Sequence, residues 1–144
     1  MYHFKTYQTL PEDAIFIRTE VFMMAQGFQG EFDDIDKTAV HIVLYSDEVP
    51  VGTCRIYWNS DKNAFIAGRI AVRKEWRGQS LGAAILQEAE KQVSALGGKR
   101  LLLAAQLQAQ GFYEKQGYDA VENSAFFDED CPHIWMSKEL QRIC

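Results

Sequence analysis

The chain has 144 residues, 47% of them hydrophobic, with a formal net charge of −5; that suits one folded domain spanning residues 1–144 and argues against disorder. The acidic balance argues against nonspecific nucleic-acid binding, which needs a basic field, yet leaves room for a local basic pocket. No apolar run approaches the ~20 residues of a membrane helix, and the opening MYHFKTYQTL lacks the basic-then-apolar layout of a signal peptide, so a cytoplasmic protein is expected.

Tyr2 to Tyr7 alternates as a short strand. Thr9 and Glu12 have capping-box spacing, Pro11 suits a helix's first turn, and Ala14, Ile15, Arg18, Val21 and Phe22 suggest a helix to about Met24. Gly27 and Gly30 break it. Glu31 to Asp36, EFDDID, places four carboxylates in six residues. Such a run is commonly a solvated loop. It can also attract a cationic amine, or repel internally and raise one pKa towards neutrality.

Ala39 to Tyr45, Val51 to Trp58 and Ala64 to Val72 read as three strands joined by the turns Ser46–Glu48 and Asn59–Asn63, an antiparallel meander. Next comes the turn Arg77-Gly78-Gln79-Ser80-Leu81-Gly82. Leu81, Ile85, Ala89, Val93 and Leu96 then mark one face of a helix from about Ser80 to Leu96, stopped by Gly97-Gly98. Strand, glycine-bearing turn and helix make an anion site: first-turn N–H groups lack intrahelical partners, the macrodipole adds partial positive charge, and Arg77 adds a full one. Arg100 to Ala105 is apolar almost throughout, the look of a strand buried on both faces and parallel to the one ending at Val72. Leu107 to Gln116 is a second helical segment. Tyr118–Val121 and His133–Ser137 close an α+β domain with a mixed sheet of about seven strands. Cys54, Cys131 and Cys144 are scattered, with neither a disulfide framework nor a metal-ligand spacing, so no metal is expected.

Two segments carry a family resemblance. Arg77 to Gly82 resembles the R/Q-x-x-G-x-G/A turn of the GCN5-related N-acetyltransferases, with Ser80 in place of the first motif glycine. Gly111 to Tyr118, GFYEKQGY, resembles their FYxKxGF segment. Arg18 with Val21-Phe22, the EFDDID run, Ala105-Gln106 and Cys131 to Ile134 are similar to segments of the small bacterial ElaA/YjcF-like group of that family. The resemblance covers nearly the whole chain. It implies the layered acyl-CoA N-acyltransferase fold, with the sheet splayed between strands four and five, and acetyl-CoA as cosubstrate.

The pyrophosphate would sit on the turn through Arg77, Gly78, Gln79, Ser80, Leu81, Gly82 and Ala83. The pantetheine arm would lie along Ile70, Ala71 and Val72. A Val72 N–H would polarise the thioester carbonyl, and Tyr113 would protonate the departing CoA sulfur. Ala104 stands where many members carry an asparagine, so one polar contact is lost. Candidates for the general base are Asp36, His133, Asp34 and Glu31. Arg18, Glu31 and Asp34 are candidates for acceptor binding, with Arg18 alternatively pairing the acidic run as scaffold. His41 reads as structural, and Cys131 lacks the surroundings of a nucleophile.

The implied activity is direct acetyl transfer to a small-molecule amine in a ternary complex. The alternative is an acyl-CoA-binding or sensing module with little turnover. No nucleic-acid or membrane partner is expected, and a homodimer is held open. A P-loop is disfavoured because no G-K-[ST] follows the glycine, and G-x-G-x-x-G is missing too.

Overall fold

A computed structural model describes residues 1–28 and 30–140; Cys144 lies outside them. The chain gathers into two compact units. One comprises Met1–Tyr57 with Gly68–Ala89, the other Trp58–Ala67 with Glu90 onward. The strands form a mixed sheet of eight, one more than expected.

In the first unit, β1 (Tyr2–Tyr7) pairs antiparallel with β2 (Val40–Ser46), from Tyr2↔Ser46 to Tyr7↔His41. β2 pairs antiparallel with β3 (Val49–Asn59) across a turn at Asp47 and Glu48. The first hairpin of the expected meander is therefore present. His41 to Tyr45 are all buried, so β2 is covered on both faces.

The first helical stretch ends at Met24, as expected, but differs at its cap and in its last turns. α1 (Glu12–Arg18) has Pro11 at its N-cap, and no side-chain cap bond forms, so Thr9 and Glu12 make no capping box. Proline has no side-chain acceptor, and its ring holds the extended entry. From Thr19 to Met24 the coil widens to a π-helix, closed by the Ala25 N–H on the Glu20 carbonyl at 3.2 Å. Ala14, Ile17, Val21 and Phe22 pack with Val43, Tyr45 and Ala71 into the unit's core.

β4 (Ala64–Val72) ends in this unit and leads through a 3-10 turn at Lys74–Trp76 to α2 (Leu81–Ala95). Gly52 lets that helix come close: a Cβ there would stand 2.5 Å from Ile85 Cδ1 and 3.1 Å from the Ala71 carbonyl oxygen.

In the second unit, β5 (Arg100–Gln106) runs parallel to the start of β4 over Phe65↔Leu101 to Ala67↔Leu103. It pairs antiparallel with β8 (Cys131–Glu139), which also carries β6 (Asp119–Ala120) and β7 (Phe126–Asp128). β7 is the unforeseen strand. Three residues are too few to show alternation, and its pairing with Cys131–His133 makes it a strand. Ala104 is exposed, unlike its β5 neighbours Leu101 to Leu103 and Ala105.

α2 ends in this unit with the Gly98 N–H on the Val93 carbonyl and the Gly97 N–H on that of Ser94, a Schellman cap with Gly97 at φ +86°. The helix stops at Ala95, so Leu96 falls beyond its buried face and is 57% exposed, against expectation. α3 (Gln110–Lys115), preceded by a 3-10 turn at Leu107–Ala109, ends on the same type of cap, with bonds from Gly117 to Glu114 and from Tyr118 to Tyr113. Among the described residues no helix is long and apolar enough to cross a membrane.

Candidate active site

The turn from Arg77 to Gly82 lies wholly in the first unit. Arg77 Nε donates to the Val72 carbonyl at 2.9 Å, folding the turn back onto the end of β4. Gly78 sits at φ +83° and Ser80 at φ +61°. The second value explains why a glycine belongs at this motif position: the backbone is left-handed there, which a side chain tolerates only at a cost. A residue in that region is not in the extended conformation of a standard N-cap. The Ala84 N–H donates to the Ser80 carbonyl at 3.2 Å. Leu81, Gly82 and Ala83 form the first turn, where N–H groups have no carbonyl within the helix. Gln79 is held from β1 by the Tyr2 hydroxyl, which donates to its Oε1 at 2.8 Å. Trp76 is half-buried in the 3-10 turn before it.

The strand that leads into this turn is bent. Arg69, within β4, has φ +52°, so the extended run is broken just before Ile70, Ala71 and Val72. Ala71 is buried, while Ile70 and Val72 are half-buried. The bend aims the Arg69 guanidinium at the acidic segment, with Nε 3.0 Å from Glu31 Oε2 and Nη2 3.5 Å from Asp33 Oδ2.

That segment is not the solvated run that its composition suggests. Arg18, Glu31 and Asp36 are 1%, 4% and 4% exposed. Arg18 donates four hydrogen bonds: Nε to Glu31 Oε2 (2.7 Å), Nη1 to Asp36 Oδ1 (2.8 Å), and Nη2 to the Glu31 carbonyl (2.9 Å) and Asp36 Oδ2 (3.0 Å). Its guanidinium lies 4.7 Å from the Phe32 ring centre. Arg55, on β3, donates from Nη1 to Asp33 (2.6 Å) and Asp36 (2.9 Å), and from Nη2 to Asp33 (3.1 Å). Three arginines thus face three carboxylates, as burial of charge requires.

Protonation follows from this pairing. Burial works against ionising Asp36, but bonds from Arg18 and Arg55 and the Asp33 N–H outweigh it and bring its pKa down to about 2. Asp33 is likewise lowered, its burial overcome by Arg55 and Arg69. Glu31 is raised: burial dominates, and Arg18 and Arg69 only partly offset it. The raised carboxyl thus arises from desolvation, not from repulsion among neighbouring carboxylates. A carboxylate at about 2 is a poor proton acceptor at neutral pH. Asp33 keeps an exposed side, and Asp34 is fully solvated, pairing with Lys37 at 3.2 Å. A cavity of about 510 Å³ opens here, between Thr9, Leu10, Phe32 and residues 33, 34, 36 and 37.

His41 bonds the Asp36 carbonyl through Nε2 at 2.9 Å, and its burial lowers its pKa, in keeping with a structural residue. Burial pushes the Cys54 thiol up to about 12, so it is no nucleophile.

In the second unit, Tyr113 is half-buried on α3, edge-on to Phe112 (5.1 Å) and Tyr118 (6.2 Å). His133 is buried on β8, stacked on Phe126 at 5.4 Å, with Nδ1 2.8 Å from the Cys131 carbonyl oxygen. A carbonyl only accepts, so Nδ1 carries a proton, and in the neutral ring Nε2 is the acceptor. A second cavity, about 610 Å³, lies beside Trp58, Phe65, Gly98 and Arg100 and includes no residue singled out from the sequence for chemistry.

Arg55 and Arg69 are the residues the sequence reading passed over. The available signal is their position. An arginine in the middle of an apolar strand, as in Val-Gly-Thr-Cys-Arg-Ile-Tyr-Trp, has to be paired if the strand is buried.

Residues 7–140 match the model of the acetyltransferase (GNAT) domain. The chain is 35% identical over 130 residues to the uncharacterized N-acetyltransferase YjcF of Bacillus subtilis, covering 89% of this chain and 91% of that protein. The crystal structure of Escherichia coli ElaA superposes with a TM-score of 0.85 at 23% identity, over 96% of this chain and 100% of ElaA. An acyl-CoA N-acyltransferase from Pseudomonas aeruginosa gives 0.84 at 23% identity, over 96% and 99%. With a family model spanning most of its length and a relative 35% identical over 89% of it, the chain belongs to the GNAT acetyltransferase family.

Proposed function

We propose that the protein is an N-acetyltransferase moving the acetyl group of acetyl-CoA directly to the amine of a small molecule. The observation that carries this is the β4–turn–α2 connection. There Arg77 is bound back to Val72, Gly78 and Ser80 hold left-handed backbone, and a helix's first N–H groups follow. These groups suit a pyrophosphate, as dipole, donors and charge converge on one spot. Ile70 to Val72, beyond the Phe65–Ala67 pairing with β5, would carry the pantetheine arm by strand-like bonding.

Acetyl-CoA supplies an activated thioester. The amine nitrogen attacks its carbonyl carbon, the C–S bond breaks, the amine loses a proton, and the thiolate gains one. The Val72 N–H is assigned to the carbonyl oxygen and Tyr113 to protonating the thiolate, both on the family resemblance. Among the base candidates, His133 is favoured over Asp36. The Nδ1 bond to Cys131 leaves Nε2 as acceptor, whereas Asp36 is held ionised by two arginines. Arg18 and Glu31 serve as scaffold in this reading, and Asp34 stays a candidate for the acceptor's ammonium group.

The test is calorimetry with acetyl-CoA and CoA, followed by thiol release across a panel of amines. Binding with amine-dependent release is expected. Binding with no release for any amine would favour a sensing module, and no binding would remove the reading.

A further inference from the structure

A polar cluster apart from the acidic segment lies wholly in the second unit and centres on Glu90 of α2. Glu90 is half-buried, next in sequence to the buried Ala89. Both of its carboxylate oxygens are engaged. Oε2 accepts from the Tyr118 hydroxyl at 2.9 Å, and Oε1 from Lys138 Nζ at 3.0 Å. Lys138, on β8, also donates to the Gln116 carbonyl at 3.0 Å and lies 5.7 Å from the Tyr118 ring centre. Gly117 leaves room for this side chain: a Cβ there would stand 3.2 Å from Lys138 Cε. One carboxylate thus ties α2, the cap of α3 and β8 together.

Tyr113 is what the cluster holds. Its carbonyl accepts from the N–H groups of Gln116 (3.0 Å) and Tyr118 (3.1 Å). Its ring meets the Tyr118 ring edge-on, with 6.2 Å between centres and 74° between planes. Backbone and ring of Tyr113 therefore both rest on Tyr118. Tyr118 is 1% exposed, and its hydroxyl lies on the long axis of the ring, so the bond to Glu90 fixes where that axis points. Such a bond is directional, where a ring contact by itself leaves freedom to tilt.

We infer that Glu90 is a positioning residue for acetyl transfer: by fixing Tyr118 it sets the ring of Tyr113, the group assigned to protonating the departing thiolate. This rests on the acetyl-transfer reading and adds to it the residue that aims the acid. The proton passes from Tyr113 Oη to the sulfur as the C–S bond breaks, and the proton lost by the amine restores the hydroxyl through solvent. A displacement of about 1 Å at a reacting group can cost about 10²-fold. The Tyr113 backbone keeps its cap without Glu90, so a smaller loss is expected.

The experiment is a double-mutant cycle on Tyr118 and Tyr113, read as thiol release from acetyl-CoA with the amine of the panel that turns over fastest. Tyr118→Phe removes the hydroxyl and leaves Glu90 bonded to Lys138. Tyr118 stands where the FYxKxGF segment has phenylalanine, so the variant is expected to fold. It should lower kcat about tenfold, leave KM for the amine within about twofold, and spare calorimetric acetyl-CoA binding. In the Tyr113→Phe background the same change should cost nothing further, because no hydroxyl is left to aim. Glu90→Ala should repeat the loss, and Glu90→Gln, which keeps an acceptor oxygen for Tyr118, should recover most of it.

A second readout needs no amine. In protein labelled with 3-fluorotyrosine, the Tyr113 resonance, identified by its disappearance in Tyr113→Phe, should shift or broaden in Glu90→Ala. Wild-type kcat in Tyr118→Phe, an equal loss in both backgrounds, or Glu90→Gln no better than Glu90→Ala overturns this inference and leaves acetyl transfer standing. An unmoved Tyr113 resonance also overturns it. Full turnover in Tyr113→Phe removes the acid, and this inference with it, while transfer itself stands. Failure to bind acetyl-CoA, or thiol release with no amine, overturns the transfer reading.

Discussion

Arg18→Met tests whether the acidic segment is scaffold. Arg18 is 1% exposed and makes four hydrogen bonds to Glu31 and Asp36. Methionine keeps much of the packing but leaves two buried carboxylates short of partners. Removing one partner from a buried ion pair commonly costs about 3–5 kcal/mol. Arg55 still bonds Asp36 and Arg69 still bonds Glu31, so the lower end, about 3 kcal/mol, is expected. With a urea slope of about 2 kcal/mol/M for a chain this long, the unfolding midpoint should fall by about 1.5 M. The tryptophans at positions 58, 76 and 135 provide a fluorescence readout.

The loss also has a pH signature. The Asp36 pKa, lowered from 3.8 to about 2 in the folded protein, stabilises the fold by about 2 kcal/mol. Because the folded pKa is the lower one, that stability is present above pH 3.8 and lost as pH falls through about 2. Without Arg18 the folded pKa of Asp36 rises towards its unfolded value. The gap between wild type and Arg18→Met should therefore narrow as pH drops towards 3. Arg18→Lys, a point charge without the planar fork, should fall between them. A destabilisation under about 1 kcal/mol, or a gap that is flat with pH, would refute the scaffold assignment.

The remaining predictions concern the cofactor turn and the thiolate. Ser80→Gly should tighten acetyl-CoA binding about threefold, as it removes both a side chain beside the phosphate path and a left-handed non-glycine residue; its melting temperature should change little, because relieved strain is offset by glycine's greater unfolded-state entropy. Equal calorimetric affinity would show that Ser80 does not obstruct the turn. Gly82→Glu should abolish acetyl-CoA binding by setting a carboxylate against the pyrophosphate, and unchanged affinity would sink the phosphate assignment. Tyr113→Phe should lower kcat about 10²-fold, the low end for general acid catalysis, while sparing acetyl-CoA affinity. Full turnover would remove the hydroxyl from the reaction.

Much of the fold is local in origin, and so could be read from the chain itself. The three meander strands, the cap at Gly97-Gly98 and the helix over Leu81, Ile85, Ala89 and Val93 follow from turn residues and periodicity, which act within a few positions of each other. The turn from Arg77 to Gly82 is equally local, since its anion-binding capacity depends on glycine, charge and a helix start in succession. β7 and the π-helix at Thr19–Met24 escaped such reading because a three-residue strand and a widened coil leave no distinctive pattern in the sequence.

The charged residues divide along the same line. That Glu31, Asp33 and Asp36 form an acidic run is plain from the sequence, but whether the run is solvated depends on what arrives from elsewhere. Arg18 comes from α1, Arg55 from the middle of β3, and Arg69 from a left-handed position in β4. Only when the fold brings these three guanidinium groups to the three carboxylates can the charges be buried, since an unpaired ion cannot leave water at acceptable free energy. The sequence by itself determined the strand, glycine-bearing turn and helix that carry the proposed phosphate site. The tertiary structure decided that Glu31 and Asp36 of the acidic run are buried against arginines, because that depends on distances between strands and helices that no local pattern encodes.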